Sequence, residues 1–328
     1  MKKILVIFTV VILFATVLSG CKKNIVITTG FEDGDIMKLS GESVSAGEMM
    51  VFLLGEKESY DIGLDEAFWE VKYDGKTLLE HFKEDIKEEF ISINILAEFA
   101  RSKNISLSDE ESERISDATE VYIENFGEDN LSKYGITKGD VKSFMEKRIL
   151  AQNVYIELME DYDVEISDEE ARVMYAGYIY LDASENKANE VAAEILQKVK
   201  EGGDMEQVAE KYNYATFKEG YLSRENFTEE SRKIIFELMD GQVSEVISEN
   251  GRLYIIKCIN DYDEIMTNSN KSVLIDKKKA EEFNKEYNPF EKDINIEYNT
   301  KLWEELDIPK FEDIKNINID NILEKLAD

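Results

Sequence analysis

Ala176-Gly177-Tyr178-Ile179-Tyr180-Leu181 is where the chain changes its grain. Before it, apolar residues recur at steps of three and four. Within it, Tyr178 to Leu181 reads as a short β-type run. Working downstream, Ala188 to Glu201 has a helical pattern with Val191, Ile195 and Val199 inward, and Gly202-Gly203 stops it. Asp204 is placed to cap a second helix through Tyr212, and Gly220 to Leu222 reads as a short strand. Thr228 to Leu238 is a third helix, Val243 to Ile247 a strand, Glu249-Asn250-Gly251 a turn, and Leu253 to Ile259 a buried strand. The order β-α-α-β-α-β-β defines an α+β unit.

Upstream the chain is helical. Ser45 and Glu48 form a capping-box pattern for a brief helix to Leu54. Tyr60 to Gly75 reads as turns around Phe68 and Trp69. Thr77 to Ala100 carries Leu79, Phe82, Ile86, Phe90, Ile93 and Ala97 on one face. Ser108 and Glu111 open a helix to about Phe126. Another helix starts near Gly135-Ile136-Thr137 with the stripe Val141, Met145, Ile149, Ile156 and Met159, and Ser167 with Glu170 opens one more. Beyond Asp263 the helical pattern returns at Lys277 to Tyr287. Ile294 to Tyr298 is strand-like, and Thr300 to Leu306 carries Trp303. Helical flanks around a different central unit predict an inserted domain.

The 328 residues hold 39 Lys plus Arg against 71 Asp plus Glu, a net charge of −32. That balance opposes binding to nucleic-acid backbones, which depends on cationic side chains, and no nucleic-acid partner is expected. His81 is the one histidine and Cys21 and Cys258 the two cysteines, so a multi-histidine metal site, a thiolate zinc cluster and a disulfide framework are ruled out. The acidic runs at 109–113 and 168–170 lack the alternating oxygen ligands and central glycine of a calcium loop. They read as helix starts, and neither metal nor cofactor is expected. His81 reads as a helix residue, Cys258 as buried and inert, and the pair Met49-Met50 as core rather than an adaptable binding surface.

The front of the chain is an address. Lys2-Lys3 precedes a 14-residue apolar run, Ile4 to Val17. That is short for a span, which takes about 20 apolar residues, and it fits a secretory signal peptide. Leu18-Ser19-Gly20-Cys21 looks like a bacterial lipobox, which implies lipidation of Cys21. Removing residues 1–20 takes away two lysines and no acid, leaving −34 on the mature chain.

Residues 176–259 resemble the parvulin family of peptidyl-prolyl isomerases. The pieces that carry this are Ala176 to Tyr180, Gly203-Asp204-Met205 with Ala209 to Tyr212, and Gly220 to Arg224. They continue with Phe236-Glu237-Leu238, Gly241 to Ser244, and Gly251 before Tyr254 to Lys257. With the lipobox and the helical flanks, the whole is similar to PrsA-type foldase lipoproteins and to SurA-like chaperones.

The resemblance implies a helical chaperone domain built from both chain ends with a parvulin-like α+β domain inserted. Its expected limits are 1–20 signal peptide, 21–40 tether, 41–170 helical region, 171–263 parvulin-like domain and 264–328 returning segment. It implies client polypeptides as partners, a lipid anchor, and the extracytoplasmic face of a Gram-positive type membrane. Tyr178 and Tyr254 stand where the family carries histidines, and Leu222, Phe227, Ser231 and Phe236 match positions of its peptide groove. The expectation is therefore a foldase with weak or absent isomerase activity. The alternatives are an active isomerase with a tyrosine network, and a solute-binding lipoprotein, which needs two lobes of alternating strands and helices.

Overall fold

The computed structural model describes residues 25–26, 30–61, 66–306, 308 and 315–327. The expected signal peptide and lipobox, with Cys21, lie outside the described residues. The fold is α+β, and the chain divides into two compact units, 1–161 with 283–328 and 162–282.

The first unit opens with strands β1 (Ile25–Val26), β2 (Asp35–Leu39) and β3 (Glu42–Ser45). Ser40 and Gly41 both have positive φ, 51° and 91°, the tight-hairpin geometry whose twist suits paired strands. Helix α1 (Ala46–Asp61) follows. Next come the single turn α2 (Glu66–Trp69) and the hairpin β4 (Lys72–Tyr73) with β5 (Lys76–Thr77). Then come α3 (Leu78–Ser102), α4 (Asp109–Phe126), α5 (Glu128–Tyr134) and α6 (Lys138–Asp161).

Local chemistry sets several of these ends. Thr77 with Glu80 and Ser108 with Glu111 each form a reciprocal capping box. The expected box at Ser45 forms only in part. The Ser45 hydroxyl accepts from the Glu48 N–H at 3.0 Å, but the Glu48 carboxylate turns inward to Ser143 Oγ and Lys147 Nζ at 3.1 and 2.6 Å. Helix α1 also runs seven residues past Leu54. Its Gly55 does not stop it. A Cβ there would lie 3.2 Å from the Ile317 carbonyl oxygen, so glycine admits the returning chain.

The core of this unit is a ring cluster. Phe52 of α1, Phe90 of α3 and Phe144 of α6 have centroids 5.2–6.2 Å apart. Met49 and Met50 are buried beside them in α1, as core residues. On α6, Val141, Met145 and Ile149 face inward, but Val154 and Tyr155 replace the expected Ile156 and Met159. The Tyr155 ring packs edge-on against Phe283, 5.2 Å away, and this long-range partner turns the buried stripe. His81 is half-buried, with Nε2 2.9 Å from the Tyr73 carbonyl, and fastens the β4–β5 hairpin.

The second unit begins with α7 (Asp168–Ala171), one turn rather than a full helix. Arg172 ends it by donating to the Asp261 and Phe236 carbonyls at 2.7 and 3.2 Å, and the chain turns extended. There follow β6 (Val173–Asp182), α8 (Ala188–Lys200), α9 (Met205–Ala209), β7 (Thr216–Ser223), α10 (Glu229–Ile235), β8 (Ile247–Glu249) and β9 (Arg252–Asn260). The sheet is antiparallel in the order β7-β6-β9-β8. Val243, expected to start a strand, makes one isolated bridge to Lys257. Just beyond it the Ser244 hydroxyl accepts from the Ile256 N–H at 3.0 Å, a place a strand carbonyl would fill, and this delays regular pairing to Ile247.

Period-2 alternation gives the sheet two buried faces. Ile179, Leu181, Leu253 and Ile255 pack under α8 and α9. Met174, Ala176, Ile256 and Cys258 pack with Leu222, Ile235 and Phe236 on the α10 side. Cys258 is fully buried, and burial, then Asp240 and Asp261, push its thiol up to about 11, which makes it inert at neutral pH.

Helix α11 (Glu264–Asp293) is continuous over 30 residues and contains Pro289. The sequence predicts helix only over Lys277 to Tyr287, and the helix extends beyond it at both ends, through Pro289, although proline in a helix interior costs about 3 kcal/mol. Packing offsets that cost: Phe283, Tyr287 and Phe290 surround Phe99, with centroids 5.1–5.8 Å away. Strand β10 (Ile296–Tyr298) then enters the first sheet between β1 and β2. The β2 residues Ile36 and Met37 have no exposed surface, and this strand falls in the stretch read from the sequence as a tether followed by a first short strand. Helix α12 (Thr300–Glu305) buries Trp303, and α13 (Ile319–Lys325) returns to α4 and α1.

Candidate functional site

The α10 side of the second sheet carries the sequence-derived residues. Tyr178 and Tyr180 project from the same face of β6, two residues apart. In the β6–β9 register Tyr254 lies opposite Tyr180, and Tyr178 lies opposite Ile256. The three rings form a half-buried cluster, with centroids 6.4 Å (Tyr178–Tyr180), 6.4 Å (Tyr178–Tyr254) and 5.9 Å (Tyr180–Tyr254) apart. Tyr178 and Tyr254 are thus brought together, and Tyr180 is the member the sequence reading did not single out. Its signal was the i, i+2 spacing within the opening strand.

Arg252 extends the cluster toward the tip of the β8–β9 hairpin. Its guanidinium sits 5.1 Å from the Tyr180 ring centroid. A hydrogen bond to the Tyr254 hydroxyl, then the tyrosine and Asp182 charges, hold it above its ordinary range. Asn250 and Gly251 make the turn with φ of 49° and 78°, which fixes the register that puts Arg252 there.

The groove candidates separate. Leu222, Ser231 and Phe236 are buried, and only Phe227 is half-exposed at the edge of the cluster. Arg224 covers the Phe236 ring, 4.7 Å from its centroid. Ser231, which reads in the sequence as a lost apolar wall, has a structural partner. Its hydroxyl donates to the buried carboxylate of Glu249, together with Thr228 Oγ1 at 2.7 Å and the Thr228 N–H at 3.1 Å. Burial pushes the Glu249 carboxyl up, but the Ser231 and Thr228 hydrogen bonds outweigh it and hold the group below the usual carboxylate range. This knot pins the start of α10 to the hairpin. Glu249→Ala should lower stability by ~1–3 kcal/mol, the cost of leaving buried donors unsatisfied. A denaturant melt checks this, and Glu249→Gln should recover part of the loss.

Chemically, the face offers aromatic surface, tyrosine hydroxyls that both donate and accept, and the guanidinium groups of Arg252 and Arg224. His81 belongs to the other unit. Among the described residues no group of three or more His, Cys, Asp or Glu is placed to hold a metal ion, and no helix is long and apolar enough to cross a membrane.

A family model described as a PPIC-type PPIASE (rotamase) domain matches residues 179–260. Tyr180 and Tyr254 fall inside that match, and Tyr178 lies one residue before it. A foldase protein PrsA of Caldanaerobacter subterraneus is 23% identical over 271 residues, 75% of this chain and 81% of that protein. A second, of Oceanobacillus iheyensis, is 20% identical over 251 residues, 68% of this chain and 82% of that protein. Among solved structures, a Bacillus cereus peptidylprolyl isomerase (PrsA) overlays on 80% of this chain and all of that chain, with 13% identity and a TM-score of 0.38. The family model and the two relatives establish the resemblance of the chain to the PrsA-type foldases.

Proposed function

We propose that this PrsA-like chain is an extracytoplasmic foldase, tethered by lipid on Cys21, that holds exported polypeptides while they fold. The observation that carries the reading is a match to a PPIC-type PPIASE domain within a chain PrsA-like over three quarters of its length; Tyr178 and Tyr254 are read as standing at the family's histidine positions. The half-buried rings of Tyr178, Tyr180, Tyr254 and Phe227 form an apolar platform for extended chain. Aromatic rings bury much area at little conformational cost, and holding a client requires no proton transfer. In this reading a helical domain made of 41–170 and 264–328 carries the inserted domain 171–263. A solute-binding lobe is disfavoured, because among the described residues from α1 to α6 the only strands are the two-residue β4 and β5.

The test is aggregation of a chemically denatured client followed by light scattering. The mature chain should slow it at stoichiometric ratios, and no effect at several-fold molar excess sinks the holding function. The anchor is tested separately. Cys21→Ala should move the protein from the membrane fraction to the soluble fraction, or leave it unprocessed. A Cys21→Ala protein still carrying lipid rules out that residue as the attachment point.

A further inference from the structure

The returning C-terminal segment is seated on a cluster of charges inside the first unit. Glu58 of α1 accepts the backbone N–H groups of Asn316, Ile317 and Asn318 at 2.5–2.9 Å. Asn318 Nδ2 lies 3.2 Å from the Gly55 carbonyl and 3.3 Å from the Glu56 carboxyl. Arg148 of α6, buried, donates Nε and Nη2 to the two carboxylate oxygens of Asp320 at 3.0 and 2.7 Å. Ile317, Ile319, Ile322 and Leu323 are buried by this seating. A small cavity beside it is lined by Val51, Phe52, Glu56, Phe144, Arg148 and Asp320, among others.

The charges there do not balance. Around Arg148 stand Glu56 from α1, Glu89 from α3 and Asp320 from α13, with Asp85 of α3 also acting on Glu89. Asp320 takes both forks of the only guanidinium in the set, which leaves Glu56 and Glu89 without a matched cation among the described residues. Two such carboxylates beside Asp320 cannot all ionise at low cost while α13 is seated.

We propose that α13 is a proton-controlled latch: it is held on α1 and α6 while Glu56 carries a proton, and it loosens as Glu56 ionises. The charge state of Glu56 fits this geometry. Burial, then Glu89 and Asp320, push its carboxyl up to about 7 from an ordinary 4.5, against the pull of Arg148 and Asn318. Unseating α13 removes the Asp320 charge and the cover, and returns Glu56 toward its ordinary value. The seated form thus holds the proton more tightly, so its advantage is full below about 4.5 and fades as pH rises to about 7. The total change in the seating equilibrium is up to about 300-fold. Asp320 has the opposite sign. Burial raises it, but Arg148 pulls it below its usual range, so this pair weakens only when pH falls toward its value.

Hydrogen exchange of residues 317–325 in the full chain tests the latch, with each rate divided by the unstructured-peptide rate at the same pH. Protection should fall roughly 50–100-fold between pH 5 and 8, while α8 in the other unit holds its protection. Glu56→Gln should stay protected across that range. Constant protection in the unmodified chain, or an undiminished fall in Glu56→Gln, overturns the latch. If Glu56→Gln does not fold, Glu89→Gln serves: it removes a charge that pushes Glu56 up, so the fall should shrink, and an unchanged fall overturns the proposal equally.

Discussion

Arg148→Ala should destabilise the first unit by about 3 kcal/mol, the lower end of what breaking a buried ion pair costs. The lower end applies because the Asp320 side chain keeps 36% of its exposure while that of Arg148 keeps 10%. The physical cause is the carboxylate left behind more than the bond lost. Without the guanidinium, Glu56, Glu89 and Asp320 face one another with no cation among them. They must take up protons or the segment must leave. The loss should therefore be larger at pH 8 than at pH 5, where protonation relieves the repulsion. Arg148→Met with Asp320→Asn should cost less than the sum of the two single changes, since the pair is then removed together. Thermal or denaturant melts at the two pH values measure this. A loss under 1 kcal/mol at both would show that Arg148 does not hold the C-terminal segment.

On an X-Pro peptide the mature chain should leave cis–trans relaxation close to its uncatalysed time of tens to hundreds of seconds. Parvulin-type catalysis holds a twisted amide in an apolar groove beside a hydrogen-bond network. In the proposed reading Tyr178 and Tyr254 stand at the family's histidine positions and Ser231 at a groove position, and the Ser231 hydroxyl is committed to Glu249. Losing a ring from a buried groove forfeits contact comparable to a core Phe→Ala change, ~3–5 kcal/mol, and each 1.36 kcal/mol lost from the transition state alone costs tenfold in rate. Aggregation suppression should persist in Tyr178→Phe and Tyr254→Phe, because the rings remain. Fast relaxation that either substitution abolishes would identify a working tyrosine network and make the domain an enzyme.

Much of the domain's architecture is legible one segment at a time. The alternation from Ala176, the β-α-α-β-α-β-β order and the Asn250-Gly251 turn are each set by neighbours within a few residues. Helix starts at Ser108 and Ser167 are legible for the same reason, since a cap acts over three residues. Helix lengths are less so. The single turn after Ser167 and the 30-residue helix through Pro289 depend on what Arg172 and Phe99 meet from elsewhere in the chain.

The candidate site divides in the same way. Tyr178 and Tyr254 could be picked out by type and position, and Tyr180 follows from strand periodicity. That Tyr254 faces Tyr180 is a matter of register, which the hairpin sets in space. Ser231 reads as a defect until Glu249, 18 residues on, is placed against it.

By itself the sequence determined the α+β class, the switch of periodicity at Ala176, the acidic balance and a single histidine that lies far upstream of that switch. These depend on composition and on contacts within a turn or a strand. Only the tertiary structure decided which buried charges must share a space. Arg148 and Asp320 lie 172 residues apart, and Glu56 and Glu89 reach them from two other helices. No local pattern marks such a meeting, because the free energy of a buried charge is set by the neighbours that folding brings to it.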